Sequence, residues 1–163
     1  MSLDLPPGSR AFVDSNILIY HFTQHPLFSA LCTPFLRRVV AGEITGFTSA
    51  LVIADALHKV MLADVQSRFV QTKPLAFIQR HPALIASLAT YHAACHDIGG
   101  MKLHVIPVEA PDFRQISGAA IAHNLLTNDA SIIALMRRES LEHLVTNDDD
   151  FDDISGITPW KPR

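Results

Sequence analysis

Short runs of apolar residues alternate along this chain with longer stretches in which apolar positions recur every three or four residues. The first kind of run reads as a buried strand and the second as a helix with one face turned inward. Residues 1–9 read as a loose lead-in, because Pro6, Pro7 and Gly8 oppose regular structure. Arg10–Val13 predicts a strand that stops at Asp14, and Ser15 and Asn16 are good helix-capping types before a short helix over Ile17–Phe22. Phe28, Leu31, Phe35, Leu36 and Val39 predict a helix over Leu27–Ala41 closed by Gly42. Ile44–Thr48 reads as a second strand. Ser49 can cap a helix from Ala50 to about Val70, marked by Leu51, Ala54, Leu57, Val60 and Met61.

Pro74 to Cys95 reads as helical with a break at His81-Pro82, and Gly99-Gly100 ends that region. Leu103–Val108 predicts a strand, residues 111–125 a helix, and Asp129–Arg138 a helix entered through Thr127-Asn128. Leu144–Thr146 is a short strand, Asp148–Asp153 an acidic turn, and Ile157–Pro159 a last strand with Trp160 packing at its end. Strands that alternate with helices imply an α/β protein with a parallel sheet between two helical layers. There is no internal repeat, and the 163 residues fit a single domain over 1–163.

Composition narrows the class. Hydrophobic residues at 48% and charged residues at 18% exclude disorder. No basic, apolar leader opens the chain, and no apolar run nears the roughly 18 residues that span a bilayer. The expectation is a soluble, cytoplasmic protein with no membrane partner. Cys32 and Cys95 form no metal-type pair and are expected as two buried thiols. A net charge of −3 excludes binding of nucleic acid by bulk positive charge.

The candidate chemistry lies in the carboxylates. Ligands of open α/β sheets bind at the carboxyl ends of strands. Asp14 and Asp148 both fall there. Asp55 interrupts the apolar stretch Leu51–Leu57, where an unpaired carboxylate is costly. Asp129 opens a helix, a position that capping and the helix dipole also explain. Asp14 as a cap, the Asp148–Asp150 run as a solvated turn, and Asp55 paired with Lys59 four residues later are the structural readings of the rest. Carboxylates that converge repel one another unless cations neutralise them, and oxygen-only ligands favour Mg2+ or Mn2+ over zinc. Such ions activate water and stabilise charge that develops on a phosphodiester.

Four blocks in order resemble the PIN-domain family: Val13-Asp14-Ser15-Asn16; Thr48-Ser49 through Asp55; Asn128-Asp129-Ala130; and Val145-Thr146-Asn147-Asp148 followed by Asp150-Phe151. Gly156 to Trp160 is similar to the family's last strand. The resemblance runs from Phe12 to Trp160. It implies a three-layer sandwich around about five parallel strands, and RNA cleavage that depends on Mg2+ or Mn2+. Many small members are VapC-type toxins that form homodimers and are blocked by an antitoxin protein. By the same resemblance, Asp14, Asp129 and Asp148 would bind metal, with Asp150 beside them, and Asp55 would complete the catalytic group. The family more often has Glu at the Asp55 position. Asp is one methylene shorter, so it would reach the ion through water or tune it less well. Asn16, Ser49 and Thr146 would orient the ligands by hydrogen bonds. Residues 69–100 form a longer helical insertion than small members have, a clip over the substrate or a dimer contact.

Other patterns carry less. His92 and His96 stand one helical turn apart but lack a third ligand. Arg37-Arg38 and Arg137-Arg138 read first as solvated helix faces, and His21, His25 and His123 as polar surface. No nucleophile elbow, P-loop or GxGxxG occurs. The leading expectation is a metal-dependent endoribonuclease, the alternative a catalytically silent PIN-like binding module, and a lesser one a metal-dependent phosphatase of small substrates.

Overall fold

The computed structural model describes residues 3–163. Its centre is β1 (Arg10–Val13), in which Ala11, Phe12 and Val13 have no solvent exposure. A strand flanked by strands and covered on both faces needs such a continuous apolar run. β2 (Thr45–Ser49) and β4 (His143–Val145) pair with it in parallel, setting Phe12 opposite both Phe47 and Leu144. β3 (His104–Ile106) and β5 (Thr158–Trp160) form the edges, giving the order β3-β2-β1-β4-β5 with every pairing parallel.

Side chains leave successive strand residues on opposite faces. Phe12 and Leu144 pack with Val52, Ile116, Ile133 and Phe151 on one face. Ala11, Val13 and Val145 pack with Ile17, Phe35 and Val39 on the other. The first face is covered by α6 (Asp112–His123) and α7 (Thr127–Arg138). The second is covered by α1 (Ser15–Phe22) and α2 (Ser29–Val40). The expected three-layer sandwich with five parallel strands is therefore the observed fold.

Connectivity places the site. The chain builds β1, β2 and β3 outward in one direction, then α6 and α7 carry it back across the sheet to β4, on the other side of β1. The strand order thus reverses at β1, and a crevice opens at the carboxyl ends of β1 and β4. Asp14 and Thr146 are the residues that follow those two strands.

Boundaries moved where local chemistry overrode pattern. α1 starts at Ser15 because the Asp14 carboxylate, not Ser15 or Asn16, accepts the first helical N–H. Pro107 has no N–H to give a ladder, and β3 stops before it. Leu3 and Leu5 are buried against α2, where Arg38 donates to both of their carbonyls, although residues 3–9 hold little regular structure.

The 69–100 region forms α4 (Pro74–Arg80) and α5 (Ala89–Asp97), with 3-10 turns over Pro82–Ser87 and Ile98–Met101. It closes a small cluster of its own, Val65, Ile78 and Leu88, on the far half of α3 (Ala50–Phe69). Tyr91 N–H donates to Asp64 there at 3.1 Å.

Candidate functional site

A cavity of about 770 Å3 opens at the reversal point. Its strand side begins with Asp14, 6% exposed. One carboxylate oxygen accepts from Ser15 N–H at 2.5 Å, and the other accepts from Asn16 Nδ2 and Thr146 Oγ1, each at 2.7 Å. Thr146 is wholly buried. Its hydroxyl also accepts from Asn16 Nδ2 and from the Asp148 N–H, both at 3.0 Å. Asn16 Oδ1 accepts from Asn147 N–H, and Asn147 Nδ2 donates to the Tyr20 hydroxyl. Asp14, Asn16, Thr146, Asn147 and Asp148 are thus tied into one network. Burial pushes the Asp14 carboxyl above its usual range, against the lowering pull of Thr146 and the Ser15 N–H.

The helix side is built differently. Ser49, wholly buried, caps α3 by accepting from Val52 N–H at 3.2 Å, so it sets a helix rather than a carboxylate. Asp55 follows about one and two-thirds turns later. Its side chain is 22% exposed and ion-paired to Lys59 Nζ at 2.8 Å. The structural reading of Asp55 is therefore realised in part. Leu51 beside it is exposed because this end of α3 runs along the cavity, and Ala54 is exposed as well.

Asp129 stands in the first turn of α7, partly exposed. Burial pushes its carboxyl up to about 6, reinforced by the negative charges of Asp14, Asp148 and Asp150. Asp14, Asp55, Asp129 and Asp148 all line the cavity, as does Asn16; Thr146 and Ser49 stand just behind it. Asp149, not Asp150, is the next acidic residue on its rim, and Asp149 is neutralised by Lys161 and Arg163, each at 2.6 Å. Asp150 acts from outside through its charge and donates its N–H to Asp148.

Among the described residues, no three His, Cys, Asp or Glu side chains form a ready metal cluster. The donor chemistry still fits a hard divalent cation. The cavity offers carboxylate, amide and hydroxyl oxygens with no thiolate or imidazole. Mg2+ needs only one or two carboxylates and keeps several waters. Beyond the effect of burial, neighbouring carboxylates repel the Asp129 charge, and a bound cation relieves that repulsion.

Residues that sequence reasoning left out of the site are Lys59 as a lining group, Tyr20, Asn128 and Ser131. Ser131 had a signal, since it lies within the Asn128–Ala130 block's own helical turn. Tyr20 had none. The remaining candidates lie elsewhere. His92 approaches the Ile85 carbonyl and His96 pairs with Asp97. Arg38 anchors Glu43 and the N-terminal segment. Arg138 anchors Asp112 and the Pro107 carbonyl, so these two arginines are fixed in structure instead of lying on solvated faces. Cys32 is buried but Cys95 is exposed, which corrects the expectation of two buried thiols; α5 presents Cys95 outward. No helix among the described residues is long and apolar enough to cross a membrane.

The PIN domain family model matches residues 100–157. No curated protein was found to match the chain in sequence. Among solved structures, VapBC2 from Rickettsia felis, bound to a promoter DNA fragment, is 17% identical with a TM-score of 0.60, covering 93% of this chain and 98% of its own. VapC20 from Mycobacterium tuberculosis, a sarcin-ricin loop cleaving toxin, is 16% identical with a TM-score of 0.61, covering 91% and 99%. A toxin-antitoxin complex from Klebsiella pneumoniae is 19% identical with a TM-score of 0.52, covering 91% and 95%. The resemblance to the PIN-domain family is upheld in sequence over 100–157, and the fold of these structures is shared over nearly the whole chain.

Proposed function

We propose that this PIN-like, VapC-like chain is an endoribonuclease that depends on Mg2+ or Mn2+ and is the toxin of a toxin–antitoxin pair. The observation that carries the reading is the gathering of Asp14, Asp55, Asp129 and Asp148 from four separate segments into one cavity at the strand-order reversal. That several of the similar structures are toxin–antitoxin complexes supports an antitoxin partner.

In this reading Asp14, Asp129 and Asp148 hold the cation, with Asp150 adding charge from behind. When bound, the cation would supply Lewis acidity toward a phosphodiester and lower the pKa of water. The chain's own residues do the rest. Thr146 and Asn16 hold the Asp14 carboxylate in one orientation. Tyr20 steadies Asn147 at the mouth, and Leu51 and Leu126 form apolar lips beside the acidic floor.

The test is purified protein on labelled single-stranded RNA, with and without Mn2+, beside Asp14→Asn and Asp129→Asn. Cleavage only with metal, and lost in both variants, is expected. Cleavage without metal, or full activity in both variants, would refute the reading. The Lys59–Asp55 ion pair favours one second reading, a catalytically silent binding module. Calorimetry with Mn2+ separates the two, since a silent module takes up no Mn2+ at this cavity.

A further inference from the structure

A phosphodiester brings negative charge into a site already lined by five carboxylates, those of Asp14, Asp55, Asp129, Asp148 and Asp149. Among the described residues that line the cavity, Lys59 is the only cation. It stands one turn beyond Asp55 on α3 and reaches back to that carboxylate at 2.8 Å, yet its side chain is 53% exposed. Its positive charge is felt on both sides of the cavity, by Asp14 and by Asp129.

An exposed pair one helical turn apart adds little to stability, so the ion pair alone is a weak reason for a lysine here. An ammonium has three donors, and the Asp55 oxygen engages one. We propose that Lys59 is the group through which this site takes hold of its substrate, donating to a non-bridging oxygen of a nucleic-acid phosphate while Asp55 keeps the ammonium aimed into the cavity. Lys59 is then a substrate-binding residue, and Asp55 a positioning residue for it. This gives the shortened acid at position 55 a role as a lysine anchor. The inference rests on the nuclease reading and deepens it.

The experiment measures binding without cleavage. A fluorescent single-stranded oligonucleotide with 2′-O-methyl sugars is titrated in Mg2+ across a range of salt, using wild type, Lys59→Gln and Lys59→Arg. Mn2+ binding to each protein without oligonucleotide is followed by electron paramagnetic resonance. Lys59→Gln is expected to weaken oligonucleotide binding about tenfold, as loss of a charge-assisted hydrogen bond does. It should also flatten the slope of log K against log salt by about 0.7, the share of one single-strand phosphate contact. Lys59→Arg should keep the slope, and Mn2+ binding in Lys59→Gln should stay as tight or become tighter.

An unchanged slope in Lys59→Gln overturns the proposal. So does a wild type that does not bind the oligonucleotide, or Mn2+ affinity that falls in step with oligonucleotide affinity, which would make Lys59 a structural prop for Asp55. Wild-type protein that binds with the expected slope but cleaves no RNA under any divalent cation would sink the nuclease reading and leave the phosphate contact standing.

Discussion

The two sides of the cavity hold their acids by different means. On the strand side, Asp14 sits at the end of the central strand, and three donors occupy its two oxygens. On the helix side, Asp55 is met by one flexible lysine, and Asp129 is pushed up by burial and then by the charges around it. A carboxylate fixed by short, buried hydrogen bonds is pre-organised before any ligand arrives. One set by burial and by neighbouring charge responds to whatever changes either. The strand side is therefore the template and the helix side the adjustable part.

Asp14→Asn attacks the template and should have the largest effect. Loss of a principal cation ligand is expected to lower RNA cleavage about a thousandfold, the several kcal/mol that a bound ion contributes to charge stabilisation. Multiple-turnover kinetics in Mn2+ measure it. A loss below tenfold would move the centre of the site to the helix side.

Thr146→Val strikes the template without removing an acid. It deletes the hydroxyl that donates to Asp14 and accepts from Asn16 and the Asp148 N–H. Mn2+ affinity should fall about ten- to a hundredfold, as for residues that orient ligands elsewhere. If affinity is kept, the network is not what aims Asp14.

The adjustable side predicts a pH effect. Asp129 titrates near 6 in the fold against 3.8 as the ordinary value. Between those values the folded protein holds a proton that the unfolded chain has lost. Stability of the metal-free protein therefore falls as pH rises from about 4 to about 6, and stays lower above that. Melting temperatures should show this decline, Asp129→Asn should shrink it, and Mn2+ should restore stability at pH 7. A wild type and variant with parallel pH profiles would show that Asp129 does not titrate in this window.

Ser49→Ala is the mildest test. Ser49 touches the site only through the start of α3. Loss of its cap should cost about 1 kcal/mol in denaturant unfolding while cleavage changes less than threefold. A large drop in activity would mean that the pose of α3 is as critical as the template.

The strand side was the more legible in the amino-acid order. A run such as Ala11-Phe12-Val13 can only be a doubly covered strand, and the acid at its end falls where α/β sheets bind ligands. The stretch of α3 around Asp55 was less legible, because helical periodicity shows which residues share a face, not what that face meets. Leu51 and Ala54 looked like core, but Leu51 borders the cavity and Ala54 is exposed. Lys59 was visible as a partner for Asp55, but its place in the cavity depends on how α3 leans across the sheet. In the run Asn147-Asp148-Asp149-Asp150, the choice of which acids face inward is made by a 3-10 turn over Asp149–Phe151 and by Lys161, features that no periodicity encodes.

The return of the chain across the sheet to β4 bears on biosynthesis. Thr146 closes on Asp14 across 132 residues of sequence. A growing chain that has made β1, β2 and β3 has neither Thr146 nor Asp148. Because domains fold as units while they are made, the hydroxyl that holds the Asp14 carboxylate arrives only after β1, β2, β3, α6, α7 and β4 have been made. A nascent chain therefore carries an Asp14 carboxylate without its Thr146 partner until β4 has been made, so the strand side of the cavity takes its form late in synthesis.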